Sequence, residues 1–285
     1  MDYDLFMPDA RPKVLDLMVK VDRAYKHLVD FQLEVSRFFG PPFPYEIISE
    51  DDSQAEERTY YLRVHKEIPP EFSALIGDIA HNLRSALDHL AWHLVQIGPV
   101  FPKAKDRDIY FPIFEDASEY GKGKMRKIRG MSDAAIQAID DIKPYGRLDK
   151  SNPMAGIGNL AVYWLTAINL QDKHRLLIPA WGAAPAHTIT KGRHAEVANV
   201  LRAAFGSESA NVMVGSSIDS NVPLKDGSKL CTLPIADVFD DMKFRFQIAF
   251  GEPASMRGKE ILSTMNNMHR IVKEIVLDFD IKGLL

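Results

Sequence analysis

A single cysteine, Cys231, occurs in 285 residues. One thiol excludes an internal disulfide and any cysteine-rich zinc site, and it fits a reducing cytoplasm. No apolar run is long enough to span a bilayer, so no membrane partner is expected. The opening MDYDLFMPDARPK is acidic and has no apolar h-region, so no signal peptide is expected. No G-x-S-x-G and no H-E-x-x-H occurs, and GIGNL at 156–160 lacks the lysine and the preceding strand of a phosphate-binding loop. A net charge of −4 argues against wholesale coating of nucleic acid, but not against a local basic site. There is no internal repeat and no low-complexity segment.

What is present is ordinary globular composition: 46% hydrophobic and 26% charged residues, enough to bury a core. Four stretches carry helical periodicity. Residues 12–39 place Val14, Leu17, Val21, Leu28, Phe31, Val35 and Phe38 near one face, and Gly40-Pro41-Pro42 ends the run. Residues 70–97 do the same with Phe72, Ile76, Ile79, Leu83, Ala86, Leu90, Leu94 and Ile97, between Pro69-Pro70 and Gly98-Pro99. Residues 153–177 begin apolar on all sides, which predicts a buried central helix. Residues 257–279 repeat Ile261, Met265, Met268, Val272, Ile275 and Phe279. A shorter helix is predicted over 132–142, with Ser132 as its N-cap.

Two β insertions interrupt the helices. Residues 45–66 read as a hairpin in which Tyr60, Leu62 and Val64 alternate with Tyr61, Arg63 and His65, so one face is expected to be buried. The segment 186–251 reads as β-rich, with strands at 187–191, 211–215, 229–234 and 243–251, a helix at 194–205, and an Asp226-Gly227 turn. The predicted fold is mainly α with a small antiparallel β sheet: a four-helix-type bundle plus β insertions, in one domain over 1–285. The strands after 186 are expected to form one sheet.

The unusual face is on the 70–97 helix. Opposite its apolar stripe stand Asp78, His81, Asn82, Arg84, Ser85, Asp88, His89, Trp92, His93 and Gln96. A solvated face would be rich in Lys and Glu; this one carries groups that make directional hydrogen bonds. A second polar cluster, Asn169, Gln171, Asp172, Lys173, His174 and Arg175, ends the 153–177 stretch. It reads either as C-terminal capping or as a partner of the first face in one pocket. The most basic segment, GKGKMRKIRG at 121–130, is expected as a solvated loop and helix start; its functional reading is a phosphate-contacting patch through Lys124 and Arg126.

Arg84-Ser85-Ala86-Leu87-Asp88-His89 resembles the R-x4–6-H signature of the HEPN superfamily, helical domains of which many are metal-independent ribonucleases that work as dimers. The pair HNLRSALDHL and DKHRLL is also similar to a set of uncharacterised bacterial proteins carrying both. The HEPN resemblance implies an RNA substrate, a homodimer, and catalysis by Arg84 and His89, with Asp88 and His174 beside them. Asn82, Asp172, Lys173, Lys124 and Arg126 then become substrate contacts. The chemistry is consistent with that: cleavage through the 2′-hydroxyl needs a base, an acid and a cation for the phosphorane, roles open to histidine and arginine. On one helix Arg84 and His89 point about 140° apart, so they flank a groove and do not grip one atom.

Two other classes compete. Arg84 and Asp88 are spaced for an i,i+4 salt bridge, His89 for a structural hydrogen bond, and Trp92 and Trp164 for a core or interface; that is a non-catalytic helical binding or assembly module. His89 and His93, completed by His81, Asp88, Asp172 or His174, would make a metal-dependent hydrolase. No metal ligand and no cofactor is assigned from the sequence.

Overall fold

The structure is a computed structural model that describes residues 12–149, 151–152, 154, 156–173, 179–187, 224–237 and 243–285. The chain is mainly helical with a small antiparallel three-stranded sheet, as its patterning predicts. It groups into two compact units: Met1–Gln32, Pro70–Leu177 and Leu262–Leu285 make the first, Leu33–Pro69 and Ile178–Ile261 the second.

Four helices build the first unit: α1 (Pro12–Phe38), α2 (Glu71–Ile97), α5 (Leu160–Asp172) and α6 (Ile261–Ile281). They neighbour one another in a ring. Phe31 of α1 meets Phe72 of α2 edge to face at 5.2 Å, α2 packs on α5, Trp164 of α5 shares a cleft with Asn267 of α6, and Tyr25 of α1 lies on His269 of α6 at 5.2 Å. The stripes read from sequence are the buried ones: Val14, Leu17, Val21, Leu28 and Phe31 on α1, Phe72 to Leu94 on α2, and Ile261 to Phe279 on α6. Ile97 departs from its stripe and stands 54% exposed.

Between α2 and α5 the chain lays down β3 (Phe114–Asp116), α3 (Ala117–Ile128), α4 (Asp133–Ile142) and β4 (Tyr145–Arg147). β3 and β4 pair in parallel, Phe114 opposite Tyr145. Ser132 caps α4 by accepting a hydrogen bond from the Ala135 N–H at 3.2 Å, and left-handed Lys143 ends it.

Two helix expectations need correction. The basic segment 121–130 is not a loop: it is the body of α3, capped by Asp116, whose carboxylate accepts from the Glu119 N–H at 2.8 Å. The helix expected from 153 starts only at Leu160, capped by Asn159. The preceding residues turn instead. Gly156 has a φ of +118°, and Gly158 lies against the Tyr145 carbonyl so closely that a Cβ would come within 2.2 Å of it. Met154 and Ile157, apolar in sequence, are 91% and 62% exposed.

The second unit joins the two β insertions. β1 (Tyr45–Asp52) and β2 (Glu57–Val64) form the expected hairpin, and β6 (Lys229–Pro234) adds to the free edge of β2. Thr59 and Thr232 stand opposite each other and share a hydroxyl hydrogen bond of 2.9 Å. Asp226-Gly227 makes the turn before β6, with Gly227 at φ +77° and the Asp226 carboxylate accepting from the Val64 N–H. β5 (Pro179–His187) pairs with β7 (Lys243–Phe250) in a separate ribbon. One sheet from the strands after 186 is therefore not what forms among the described residues: β6 pairs with β2, and β5 begins before 186. Prolines at 179 and 185 hide β5 in the sequence, and an edge position tolerates their missing N–H groups. The strand expected at 211–215, the helix at 194–205 and nearly all of the strand at 187–191 lie outside the described residues. No helix among the described residues is long and apolar enough to cross a membrane.

The α1–α6 contact carries a titratable group. His269 Nε2 is buried with no hydrogen-bond partner among the described residues, and burial, with Lys273 nearby, lowers the imidazole's pKa against the opposing pull of Asp22. Below about pH 6.5 the unfolded chain then takes up a proton that the folded one resists. Stability measured by urea unfolding should therefore fall as pH drops from 7 through that value, and His269→Phe, which keeps a ring against Tyr25, should flatten that part of the profile. An unchanged slope in the variant would assign it to other groups.

Candidate functional site

Arg84 is an arginine at the end of three apolar turns, and only 8% exposed. A buried guanidinium needs partners on several sides. Its Nη2 donates to the Asp88 carboxylate at 2.7 Å, one turn along α2, and to the Phe111 carbonyl at 2.9 Å; Nη1 reaches the Thr166 hydroxyl of α5 at 3.4 Å. Asp88 in turn accepts from the Phe111 N–H at 2.9 Å. Both backbone polar groups of Phe111 are thus held by one i,i+4 pair, and the Phe111 ring is fully buried below. Burial pushes the Asp88 carboxyl above the usual carboxylate range, against the pull of Arg84, the Phe111 N–H and Lys127. Burial likewise lowers the Arg84 guanidinium, and Asp88 opposes it.

The same carboxylate and guanidinium act on Lys127, one residue before the end of α3. Its ammonium lies 4.6 Å over the centre of the Phe114 ring. That ring rests on Gly123, one turn earlier on α3, where a Cβ would come within 2.5 Å of it. Burial lowers the Lys127 amine, with repulsion from Arg84 and Arg126 and attraction from Asp88. Arg84 and Asp88 therefore meet where α2, α5 and the 99–113 loop come together, and their charges reach Lys127 on α3. Tyr110, 47% exposed, acts on Arg84 from the loop.

The other residues singled out in the sequence divide. His89 is exposed, and with Trp92, His93, Asp16 and Leu17 it lines a cleft of about 470 Å³ between α1 and α2. Trp92, read as core or interface, is 49% exposed there. Asn82 is buried and donates back to the Asp78 carbonyl at 2.8 Å, a bond within its own helix. Lys124 does not face solvent as a phosphate contact: both Asp140 carboxylate oxygens hold its ammonium, at 2.6 and 2.7 Å, beside the Tyr120 ring. Arg126 is exposed on α3.

Asp172 comes to α2, but far from Asp88. It sits on Gly77, where a Cβ would lie 2.2 Å from Asp172 Oδ1, with Asp78 and His81 as its charged neighbours. Burial and Asp78 push its carboxyl up while His81 pulls it down. Gly77 and Asp88 are about 16 Å apart along the helix, so Asp172 shares no reacting group with Asp88 or His89 within one chain. Lys173 is exposed at the end of α5, and His174 lies outside the described residues. Among the described residues no three His, Cys, Asp or Glu side chains converge to hold a metal ion. The Cys231 thiol is buried in β6 and pushed up to about 11 by desolvation, which makes it a poor nucleophile.

Sequence reasoning missed Thr166 and the Phe111 backbone, and named Lys127 only as one cation of the basic segment 121–130. Only Lys127 left a signal, the Gly123–Lys127 spacing that puts a bare patch and a cation on one helical face. No protein-family model, curated protein or solved structure matches the chain.

Two substitutions test this geometry. Arg84→Ala leaves the half-buried Asp88 carboxylate without its cation and should cost about 3 kcal/mol or more in denaturant unfolding, with Arg84→Lys restoring only part because an ammonium cannot fork between Asp88 and Phe111. Gly77→Ala should also destabilise, by about 1–3 kcal/mol, as the new methyl displaces Asp172; the double variant Gly77→Ala/Asp172→Ala should recover most of that loss.

Proposed function

We propose that the chain is a non-catalytic helical binding or assembly module, working in the cytoplasm as a homodimer. One observation supports this above the rest. Arg84, the cation that phosphodiester cleavage would require, is spent inside the fold on Asp88, Phe111 and Thr166. A guanidinium so engaged stabilises the protein and has little left for a substrate phosphate. The outward stripe of α2 supports the assembly half of the reading. Asp78, His81, Ser85, His89, Trp92 and Gln96 follow one another at helical spacing without a single Lys, Arg or Glu, and a half-exposed Trp suits an interface better than open water.

A second reading is the HEPN-like ribonuclease acting on RNA. It is favoured by His89, which is solvent-reachable at the mouth of the α1–α2 cleft, where a proton carrier is useful. In a dimer, His89 of one protomer would have to meet a cation other than its own Arg84.

Incubation of the purified protein with single-stranded RNA and no divalent ion separates the two. The module reading expects intact RNA, and a sedimentation mass twice that of the chain which Trp92→Glu halves. Cleavage to products ending in 2′,3′-cyclic phosphate, slowed about a hundredfold or more by His89→Ala in a folded protein, would overturn it in favour of the ribonuclease.

A further inference from the structure

A cleft of about 510 Å³ opens where the end of α4, the turn before α5, and α6 come together. A smaller hollow of about 210 Å³ continues it past Trp164 and Asn267. The walls are largely apolar, with Ile157, Ile271 and the Trp164 indole among them. Among the described residues that line it, Lys143 alone is charged, and no described carboxylate pairs with it. Asp141, two residues back, accepts from Gln137 instead, at 2.8 Å. Arg270 donates to the Asn267 side-chain carbonyl at 2.9 Å but is itself matched by Glu274, and the N–H end of the amide is left over. Lys143 is also held at a cost. It ends α4 with a φ of +52°, in the left-handed region that a helix end usually gives to glycine. The turn before α5 fixes it there: the Lys143 carbonyl accepts from the Tyr145 N–H at 2.7 Å and from the Asn159 N–H at 2.9 Å, and Gly158 packs against the same carbonyl. A cation kept at a strained backbone position, on the wall of a cleft and without a counter-ion, points to a role for its side chain.

We infer that this cleft binds a small aromatic carboxylate, with Lys143 as its counter-ion and Trp164 as the surface its ring lies against. The charge of the lining selects the class. A neutral ligand leaves Lys143 unmatched, and a cation is repelled by it. One carboxylate balances one ammonium, whereas a phosphate brings about −1.5 to −2 at pH 7, more than Lys143 matches. The walls select the ring. An indole takes another aromatic ring in an offset stack, and Ile157, 62% exposed, gains burial beneath it. The Asn267 amide adds a neutral donor. The volume lies in the range of about 300–1,000 Å³ in which small-molecule sites fall. The locked backbone of Lys143 fixes the root of the ammonium before the ligand arrives, so less ordering is needed on binding. The inference goes beyond the assembly reading above. Its residues belong to α4, α5, α6 and the turn before α5, and none to the outward stripe of α2. Dimer mass and carboxylate binding are read in separate assays, so either can fail visibly without the other.

The test is titration calorimetry of the full chain with sodium benzoate, at an ionic strength held constant with sodium chloride. Benzoate should bind saturably. Cyclohexanecarboxylate, which keeps the charge and lacks the aromatic ring, should bind severalfold more weakly; benzyl alcohol, which keeps the ring and lacks the charge, about tenfold or more so. Lys143→Asn should weaken benzoate about tenfold or more in a protein that still folds, since asparagine accepts the left-handed backbone. Lys143→Gly should lose binding equally and hold or raise the thermal midpoint, because glycine relieves the strain. Loss of binding without loss of stability sets a binding role apart from a structural one. Trp164→Leu should weaken benzoate severalfold and leave cyclohexanecarboxylate nearly unchanged, and Lys122→Gln, an exposed cation on α3, should change neither. Should Trp164→Leu fail to fold, the two Lys143 variants carry the test. A parent that gives no saturable heat with benzoate, or a Lys143→Asn variant that binds it as the parent does, would overturn the inference.

Discussion

One buried ion pair holds the first unit's irregular part in place. The chain between α2 and α3 has little regular structure of its own; a single short 3-10 turn at 106–108 is all it forms before β3. Such a segment must find partners for its backbone elsewhere. Arg84 and Asp88 supply two of them by taking the carbonyl and the N–H of the same residue, Phe111, whose ring fills the core. The arrangement explains why a helix stripe that ought to be apolar contains an arginine. Removing one partner leaves the other charged and half-buried, the situation in which a buried pair matters most.

The helices were legible because their information is local. Apolar residues at three and four spacings, Ser132 ahead of α4 and prolines at the ends state each helix within its own span. What was not legible depends on distant partners. β5 is written in prolines and glycine and exists only because β7 pairs with it. The start of α5 was misread because apolar residues from 153 to 158 looked like helix, while Gly156 and Gly158 are there to turn the chain against Tyr145. The basic segment read as a solvated loop and helix start because charge runs usually are surface, yet α3 runs straight through Gly121 and Gly123, and Gly123 serves the Phe114 ring.

The site was half legible in the same sense. The spacing of Arg84 and Asp88 stated a salt bridge, and the structure contains it. Nothing in the spacing stated that Phe111 and Thr166, from two other elements, would complete the guanidinium's partners and withdraw it from solvent. His89 and Arg84, paired in the motif, go to different environments because their directions on the helix differ: one faces the cleft against α1, the other the loop and α5. Of the second polar cluster, Asp172 lies against α2, but three turns away from where a shared site needed it, at the one position where α2 lacks a side chain.

The pairing of β2 with β6 sets an order of events on the ribosome. The β1–β2 hairpin is complete at Val64, but the strand that covers the outer edge of β2 ends at Pro234, 170 residues later. At about 5–20 residues per second, that edge stays without its partner for on the order of ten to thirty seconds of synthesis. An open edge is a template for any passing strand. The residues along it, Glu57, Arg58, Thr59, Tyr60 and Tyr61, begin with a carboxylate and a guanidinium, charges that discourage pairing between identical nascent chains until β6 emerges.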